Sequence, residues 1–569
     1  MLHARSTAFA SGDAEGYKKA RYDLRRSIRG AKRQYRMKLE GCYTTADPRR
    51  MWQGLQHITD YQQRSRGVTT RQSTLPDELN EFYARFDDLN TNRGILPTEA
   101  AQSSSLTVTS AEVCRALRRT NPQIAVGPDN IEGRALRVCS AELAEVLTDI
   151  YNLSLSQYSV PTCFKTSAIV SKKNTKCFER IIMSHIKKTI PDTLDPLQFA
   201  YRRNRSTDDA VNTAIHTALT HLENKDTYVR MLLIDYSSSF NTVLPTRLAE
   251  KLLILVLTPS LCSWVLDFLT DRPQTVSVGT RTSGTRTVST GTPQGCVLSP
   301  LLYTLFTYDC ASTQRNTTII KFADDTTVIG LITGGVETDY REEVAQLVSW
   351  CHTNNLSFNT EKTKELIIDP RKRRDQHSPL HIGETQVERV KTFKFLGTYI
   401  SEDLSWSHNT QHIAKKSQQR LYFLRKLRKF GLSSKLLSNF YRCTVESLLS
   451  NSITVWFGNC KVQERKALQR VIKTAQYICG AAFPSLQDIY NTRVTKRAHN
   501  ITKDTTHPQH TLFTLLPSGR RYRSMKARTT RLKNSFYPQA IRLLNDSQTL
   551  MTPCICTTFN TVNCIYFQL

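Results

Sequence analysis

Acidic residues are scarce in this chain: 49 Asp and Glu stand against 78 Lys and Arg in 569 residues, a formal charge of +29. An excess of that size repels itself and calls for a polyanionic partner. The scarcity sharpens toward the C-terminus, where residues 490–569 hold only Asp504 and Asp546, too few for the clustered acids of a ribonuclease H. Long hydrophobic runs are missing too. The most apolar stretch, LLILVLTPSLCSWVLDFL (252–269), contains Pro259 and Asp267 and reads as buried helix broken by a turn, not a membrane span. The opening MLHARSTAFASGD lacks the apolar h-region of a secretory signal. Fifteen cysteines occur without one C-x-x-C pair, which suits reduced thiols in the nucleus and cytoplasm. Cys554, Cys556 and Cys564 lack a fourth ligand and a knuckle spacing, so the tail reads as a poorly constrained terminus. No His-x-Asp pair is present, which removes the ligand set of an iron and 2-oxoglutarate oxygenase.

What the chain does have is ordinary globular material, 39% hydrophobic and 22% charged, enough for about three or four structural units. Residues 17–38 carry ten Lys or Arg and one acid, with Leu24, Ile28, Ala31 and Tyr35 at helical spacing. This predicts a basic amphipathic helix in which Arg25, Arg26, Arg29, Lys32 and Arg33 contact phosphate. Residues 62–75 and 90–110, rich in Ser, Thr, Gln and Asn, read as loops, and the whole of 1–110 as a basic helical linker region. Between about 165 and 400, strand-length apolar runs alternate with helices, the pattern of an α+β core. Residues 401–500 turn helical and basic again, with seven Lys or Arg in 415–429, including Arg425, Lys426, Arg428 and Lys429, interleaved with Tyr422 and Phe423. Seven more bases and no acid lie in 520–533, beginning with Arg520 and Arg521, inside a C-terminal extension, 501–569.

Chemistry concentrates in two acidic segments. KFADDTTV (321–328) sets Asp324 and Asp325 between apolar flanks, and MLLIDYSSSFN (231–241) ends an apolar strand on Asp235. Each alone reads equally as a turn. Side by side they would gather three like charges, which is destabilising unless divalent cations neutralise them. Two Mg²⁺ in such a cluster suit in-line phosphoryl transfer. Between them, STGTPQGCVLSPLLYTLF (289–306) joins a glycine turn to an apolar helix.

The order D-x-x-x-x-F, G-x-P-Q-G-x-x-x-S-P-L-L and F-A-D-D resembles motifs A, B and C of reverse transcriptases. With QFAYR (198–202), LSFNTEKTK (356–364), FKFLG (393–397) and LLPSGRRYRS (515–524), the chain is similar to non-long-terminal-repeat (LINE-type) retrotransposon polymerases abundant in fish genomes, from about residue 5 to 545. The resemblance implies a right-hand fold, with fingers and palm over 111–400 and a thumb over 401–500. It also implies an RNA template, a DNA primer, deoxynucleoside triphosphates and two Mg²⁺. By the same resemblance Asp235, Asp324 and Asp325 are the metal-binding and catalytic acids. Lys362 is the lysine that stabilises or protonates departing pyrophosphate, and Phe240 the steric gate against a ribose 2′-hydroxyl. Gln294 and Gly295 line the nucleotide and template base, while Phe395, Leu396 and Gly397 form the primer grip.

Departures qualify the resemblance. Relatives carry an endonuclease ahead of the polymerase, whereas this chain starts almost at once in the basic helix, so target nicking is not expected here. FKTSAIVSKKNTKCFER (164–180) passes directly from Lys173 to Lys176, without the Asn-Asp-Tyr-Arg-Pro stretch whose arginine contacts the triphosphate in relatives. Lys172 and Lys173 are the nearest bases. Ser239 stands where relatives have a small apolar residue. Two readings follow, an RNA-directed DNA polymerase or a catalytically dead remnant that still binds nucleic acid. The stretch around 375–430 also resembles the N-terminal region of an AlkB-type repair protein, read as mobile-element sequence shared with another protein.

Overall fold

A computed structural model describes residues 2–44, 48–59, 74–87, 106–122, 131–169, 176–278, 281–371 and 377–549. Lys172, Lys173, the junction before Lys176 and the cysteine tail lie outside the described residues. Contacts divide the chain into two units, one drawn from 69–404 and 498–533, the other from 1–68, 405–497 and 534–569.

The first unit holds all the strands: β1 (Ser167–Ile169), β2 (Thr227–Ile234), β3 (Arg272–Val278), β4 (Arg281–Thr282), β5 (Arg286–Val288), β6 (Thr317–Phe322), β7 (Asp325–Thr333), β8 (Lys364–Ile368), β9 (His381–Ile382), β10 (Thr385–Gln386), β11 (Glu388–Arg389), β12 (Thr392–Phe395) and β13 (Thr398–Ser401). Its central sheet runs β11-β8-β2-β7-β6. β2 lies antiparallel to both β7 and β8, and every one of its residues is buried, which is why its sequence is a continuous apolar run. Its one charge, Arg230, is fully buried and hydrogen-bonds Glu365 through Nε and Nη2 (3.0 and 2.8 Å) and Glu337 through Nη1 (2.5 Å). Gly330 on β7 has no Cβ because one would lie 2.5 Å from the Tyr340 ring packed over it. Helices cover the sheet through a core that includes Phe178, Trp264, Tyr303 and Phe306. The apolar stretch 252–269 forms the end of helix Pro245–Ile254, a turn, and helix Pro259–Leu269, the broken helix its proline predicts. No described helix is long and apolar enough to cross a membrane.

A second sheet, β1-β3-β4 with β5 on β3, carries the helix Leu75–Ala84 against it. Residues 498–533 also belong to this unit. There the buried Arg205 donates to Thr506 O (2.7 Å) and lies 3.7 Å from the Asp504 carboxylate, and Glu223 accepts from the Arg528 and Thr529 amides. The C-terminal extension is therefore partly a strap across the helix Thr207–His221 and its flanks.

The other unit is helical: Ala14–Thr44, Pro48–Thr59, Ser407–Lys429, Ser434–Tyr441, Val462–Cys479, Leu486–Lys503 as far as Arg497, and Phe536–Thr549. Tyr35 meets Phe430 edge-on at 6.0 Å and Arg36 Nη1 donates to Gly431 O (3.2 Å), so Ala14–Thr44 is fastened by its C-terminal half. The apolar stripe read from its sequence is not buried throughout, since Ile28 and Ala31 are exposed.

Candidate active site

Strand register brings the acids together. Ile234, the last residue of β2, faces Thr326 on β7, so Asp235 leaves β2 beside Asp325. Phe322 faces Asp325 across a two-residue turn, Ala323 and Asp324, which puts the third carboxyl at the tip of the β6–β7 hairpin. Asp325 lies exposed at that tip, yet its carboxyl is pushed up to about 6, first by lost hydration and then by the negative charges of Asp324 and Asp235. Asp324 Oδ2 accepts from Ser239 Oγ (3.0 Å), while Asp235 Oδ2 lies 3.7 Å from Lys362 Nζ. Among the described residues no three acid, His or Cys side chains form a ready ligand set. The strand register sets the three residues side by side, and Ser239 and Lys362 each contact one of the carboxylates.

The turn carrying Asp324 is strained and braced. Ala323 has φ +58°, a left-handed conformation that disfavours any side chain. Gln198, fully buried, accepts from Ala323 N and Ala200 N through Oε1 (3.0 Å each) and donates to Ala323 O through Nε2 (3.2 Å). The brace continues into Lys321, whose buried ammonium reaches Thr307 O, Cys310 O and Asp195 at 2.7–2.8 Å. Neither role is legible from the acidic motif, since Gln198 lies 125 residues away from the turn.

Asp235 is tied along its backbone to the 356–364 segment: its N–H donates to Thr363 Oγ1 (3.3 Å), and its carbonyl accepts from Asn359 N (2.8 Å). Beyond it, Phe240 stacks on Tyr303 with ring centroids 4.4 Å apart. Gly291 N donates to Val243 O (2.7 Å) and Thr292 N to Phe240 O (2.8 Å). Gly291 has φ +76°, and a Cβ there would fall 2.6 Å from Asn241 Cα, so the glycine permits this close approach. Arg272, buried, donates to Thr290 O and Gly291 O (2.5 and 3.0 Å) and is pushed down to about 10 by burial. Ser299 Oγ closes the turn on Pro293 O (2.6 Å), and buried Glu179 accepts from the Val297 and Leu298 amides. Gln294 and Gly295 remain exposed at the rim. Phe395, Leu396 and Gly397 make the β12–β13 hairpin, whose two turn residues both have positive φ (45° and 89°).

Residues 167–400 match the family model described as reverse transcriptase (RNA-dependent DNA polymerase). This stretch is similar to reverse transcriptase domains. Relatives include the RNA-directed DNA polymerase from mobile element jockey of Drosophila funebris, 23% identical over 76% of this chain and 51% of that protein. Two from Drosophila melanogaster are a probable polymerase from transposon BS (22%, 65% of this chain, 45% of that protein) and one from transposon X-element (25%, 54% and 34%). These relatives are RNA-directed DNA polymerases of mobile elements, and the chain is similar to them. It spans about half the length of the curated relatives it matches. Among solved structures, telomerase from Candida albicans with a TWJ fragment of telomeric RNA aligns over 71% of this chain and 65% of that one, at 10% identity and a TM-score of 0.30, too loose to add to the reading. Residues 406–447 match the N-terminal region of alkylated DNA repair protein alkB homolog 8. That match falls mainly on helices and brings no oxygenase ligands.

Outside residues 167–400 the basic residues divide by environment. Arg25, Arg26, Arg29, Lys32 and Arg33 are all exposed along Ala14–Thr44. On Ser407–Lys429, Arg425 and Lys429 are exposed and Lys426 Nζ sits 5.3 Å from the Tyr422 ring centroid. Arg428, also exposed, donates to Tyr477 O (3.2 Å) and Ile478 O, carbonyls near the end of Val462–Cys479. Arg520 and Arg521 stand exposed on a narrow turn closed by Leu516 N to Arg521 O (2.7 Å).

Proposed function

We propose that the chain is a non-long-terminal-repeat retrotransposon polymerase that extends a DNA primer on an RNA template, using Mg²⁺ and deoxynucleoside triphosphates. The single observation that supports this most is the convergence of Asp235, Asp324 and Asp325 at neighbouring strand ends, where lost hydration and then the neighbouring negative charges raise Asp325. An all-oxygen donor set under mutual repulsion suits a hard divalent cation. Two such ions, if bound there, would supply activation of the primer hydroxyl and stabilisation of the leaving phosphate. Asp235 and Asp324 would hold them, with Asp325 alongside. Ser239 and Lys362 keep the carboxylates oriented until the ions enter, and Lys362 can then give a proton to departing pyrophosphate. Phe240, fixed by Tyr303, presents the ring edge that tests the sugar. Gln294 and Gly295 face the base pair, and the Phe395–Gly397 hairpin supports the primer end. Phosphates of the duplex meet the exposed bases of the helical unit.

The shortened stretch between Lys173 and Lys176 favours a second reading, binding without chemistry. Primer extension on poly(rA) with oligo(dT) separates the two. Extension that Asp324→Asn abolishes while RNA binding stays unchanged supports the polymerase. Binding with no extension under any divalent cation supports the remnant.

A further inference from the structure

Arg85 follows the helix Leu75–Ala84, in a segment the sequence leaves without a role. Contacts on both sides hold that segment against the β3–β5 sheet. Asp77 Oδ1 accepts from Gly284 N (2.9 Å), Asn80 Nδ2 donates to Gly284 O (2.9 Å), and Asp87 Oδ1 accepts from Ser289 N (2.7 Å). The guanidinium carbon lies 3.7 Å from the ring centroid of Phe82 and 4.2 Å from that of Phe86, which fixes its direction. Nη1 donates to Phe82 O, and Nη2 reaches Ser238 Oγ (3.3 Å), three residues beyond Asp235.

Among the described residues no carboxylate pairs with Arg85. Asp77 and Asp87, on the same segment, accept from backbone amides of the sheet instead. Burial lowers the pKa of this group, so its charge is maintained against a desolvation penalty without an ion pair to offset it. The same segment walls an open recess lined by Tyr83, Phe86, Asn241, Arg272 and Gln294. A half-buried cation of fixed direction, lacking its own anion and standing over the loop that starts at Asp235, is arranged to receive an anion from outside.

We propose that Arg85 binds the phosphates of the incoming nucleoside triphosphate. This rests on the nucleotidyl-transfer reading above. The free N–H edges of the guanidinium take non-bridging phosphate oxygens in a charge-assisted, bidentate contact. Ser238 Oγ acts as the placeholder for them in the nucleotide-free protein.

The test uses the full chain bound to poly(rA)–oligo(dT) whose primer ends in a dideoxynucleotide, so that dTTP binds without reacting. Arg85→Gln should weaken dTTP binding about tenfold or more, and Arg85→Lys less, with primer–template affinity unchanged in both. In the unsubstituted protein, dTTP should protect Arg85 from phenylglyoxal, read by peptide mass, which needs no variant to fold. Unchanged dTTP affinity in Arg85→Gln, or modification of Arg85 that dTTP does not slow, overturns the assignment while leaving the polymerase reading intact. Failure of the unsubstituted complex to bind dTTP overturns both.

Discussion

Replacing Gln198 with Met should loosen the turn that carries Asp324 without emptying the core. Met is unbranched and of similar length, so it fills the fully buried site, but it carries no amide. Three hydrogen bonds are lost, and two of them, to Ala323 N and Ala323 O, hold the turn. At about 1 kcal/mol net each, the turn loses roughly 2 kcal/mol. That is comparable with the roughly 1–2 kcal/mol by which a left-handed backbone disfavours an alanine, so the brace and the strain at Ala323 are near balance. Local opening should rise by about 30-fold, because each 1.4 kcal/mol is a factor of about ten. Hydrogen exchange followed by mass spectrometry reads this in a peptide spanning 319–328. Extension should fall with primer–template affinity unchanged. Adding Ala323→Gly in the same background should recover part of the protection, since glycine adopts positive φ without penalty. Unchanged protection of 319–328 in Gln198→Met would refute the brace, as would equal loss across the whole sheet.

Three further outcomes are expected. Asp325 has a folded pKa of about 6 against an ordinary 3.8, so the native state binds more protons than the unfolded one between those values and its stability falls as pH rises through that window. Asp325→Asn should therefore raise Tm at pH 7–8 and leave it unchanged near pH 3, where both states are protonated; a shift equal at all pH values contradicts the charge repulsion. Duplex binding through about six phosphates should show log affinity falling with log salt at a slope near −5, and Arg425, Lys426 and Lys429 changed together to Gln should flatten it, with little sequence preference lost. Arg428→Gln should instead lower thermal stability, because its guanidinium serves helix carbonyls. Asp504→Ala removes the carboxylate beside the buried Arg205 and should cost about 1–3 kcal/mol in urea unfolding; an unchanged midpoint would mean the strap is not fastened there.

The acids were legible because strand logic is local. An apolar run ending on Asp235 and a two-acid turn between apolar flanks each announce a strand end, and only their adjacency required the fold. The broken helix at Pro259 was legible for the same reason. Gln198 was not, since its partners are backbone atoms of a distant turn and no side-chain pattern marks them. Arg85 was hidden because its helix docks by Asn80, Asp77 and Asp87 onto backbone amides and carbonyls, which leave no hydrophobic period to read. The contact of Arg428 with the end of a neighbouring helix was not legible either, because charge composition says nothing of which carbonyls a base meets. Ser239, a departure from relatives in sequence, acquires a role as the hydroxyl that holds Asp324.

The threading of the chain through its two units has a consequence for synthesis. The helical unit takes its pieces from 1–68, 405–497 and 534–569, and the strand-bearing unit is completed only by 498–533. Helix Ala14–Thr44 therefore leaves the ribosome some 360 residues ahead of Ser407–Lys429, the first partner it packs on in that later block. At about 5–20 residues per second it waits on the order of 20–70 s, strongly basic and half of its apolar stripe uncovered. Neither unit is complete until the segment 498–533 has been made. A strongly basic helix that waits so long without its packing partner is the part of the molecule most exposed to polyanions during synthesis.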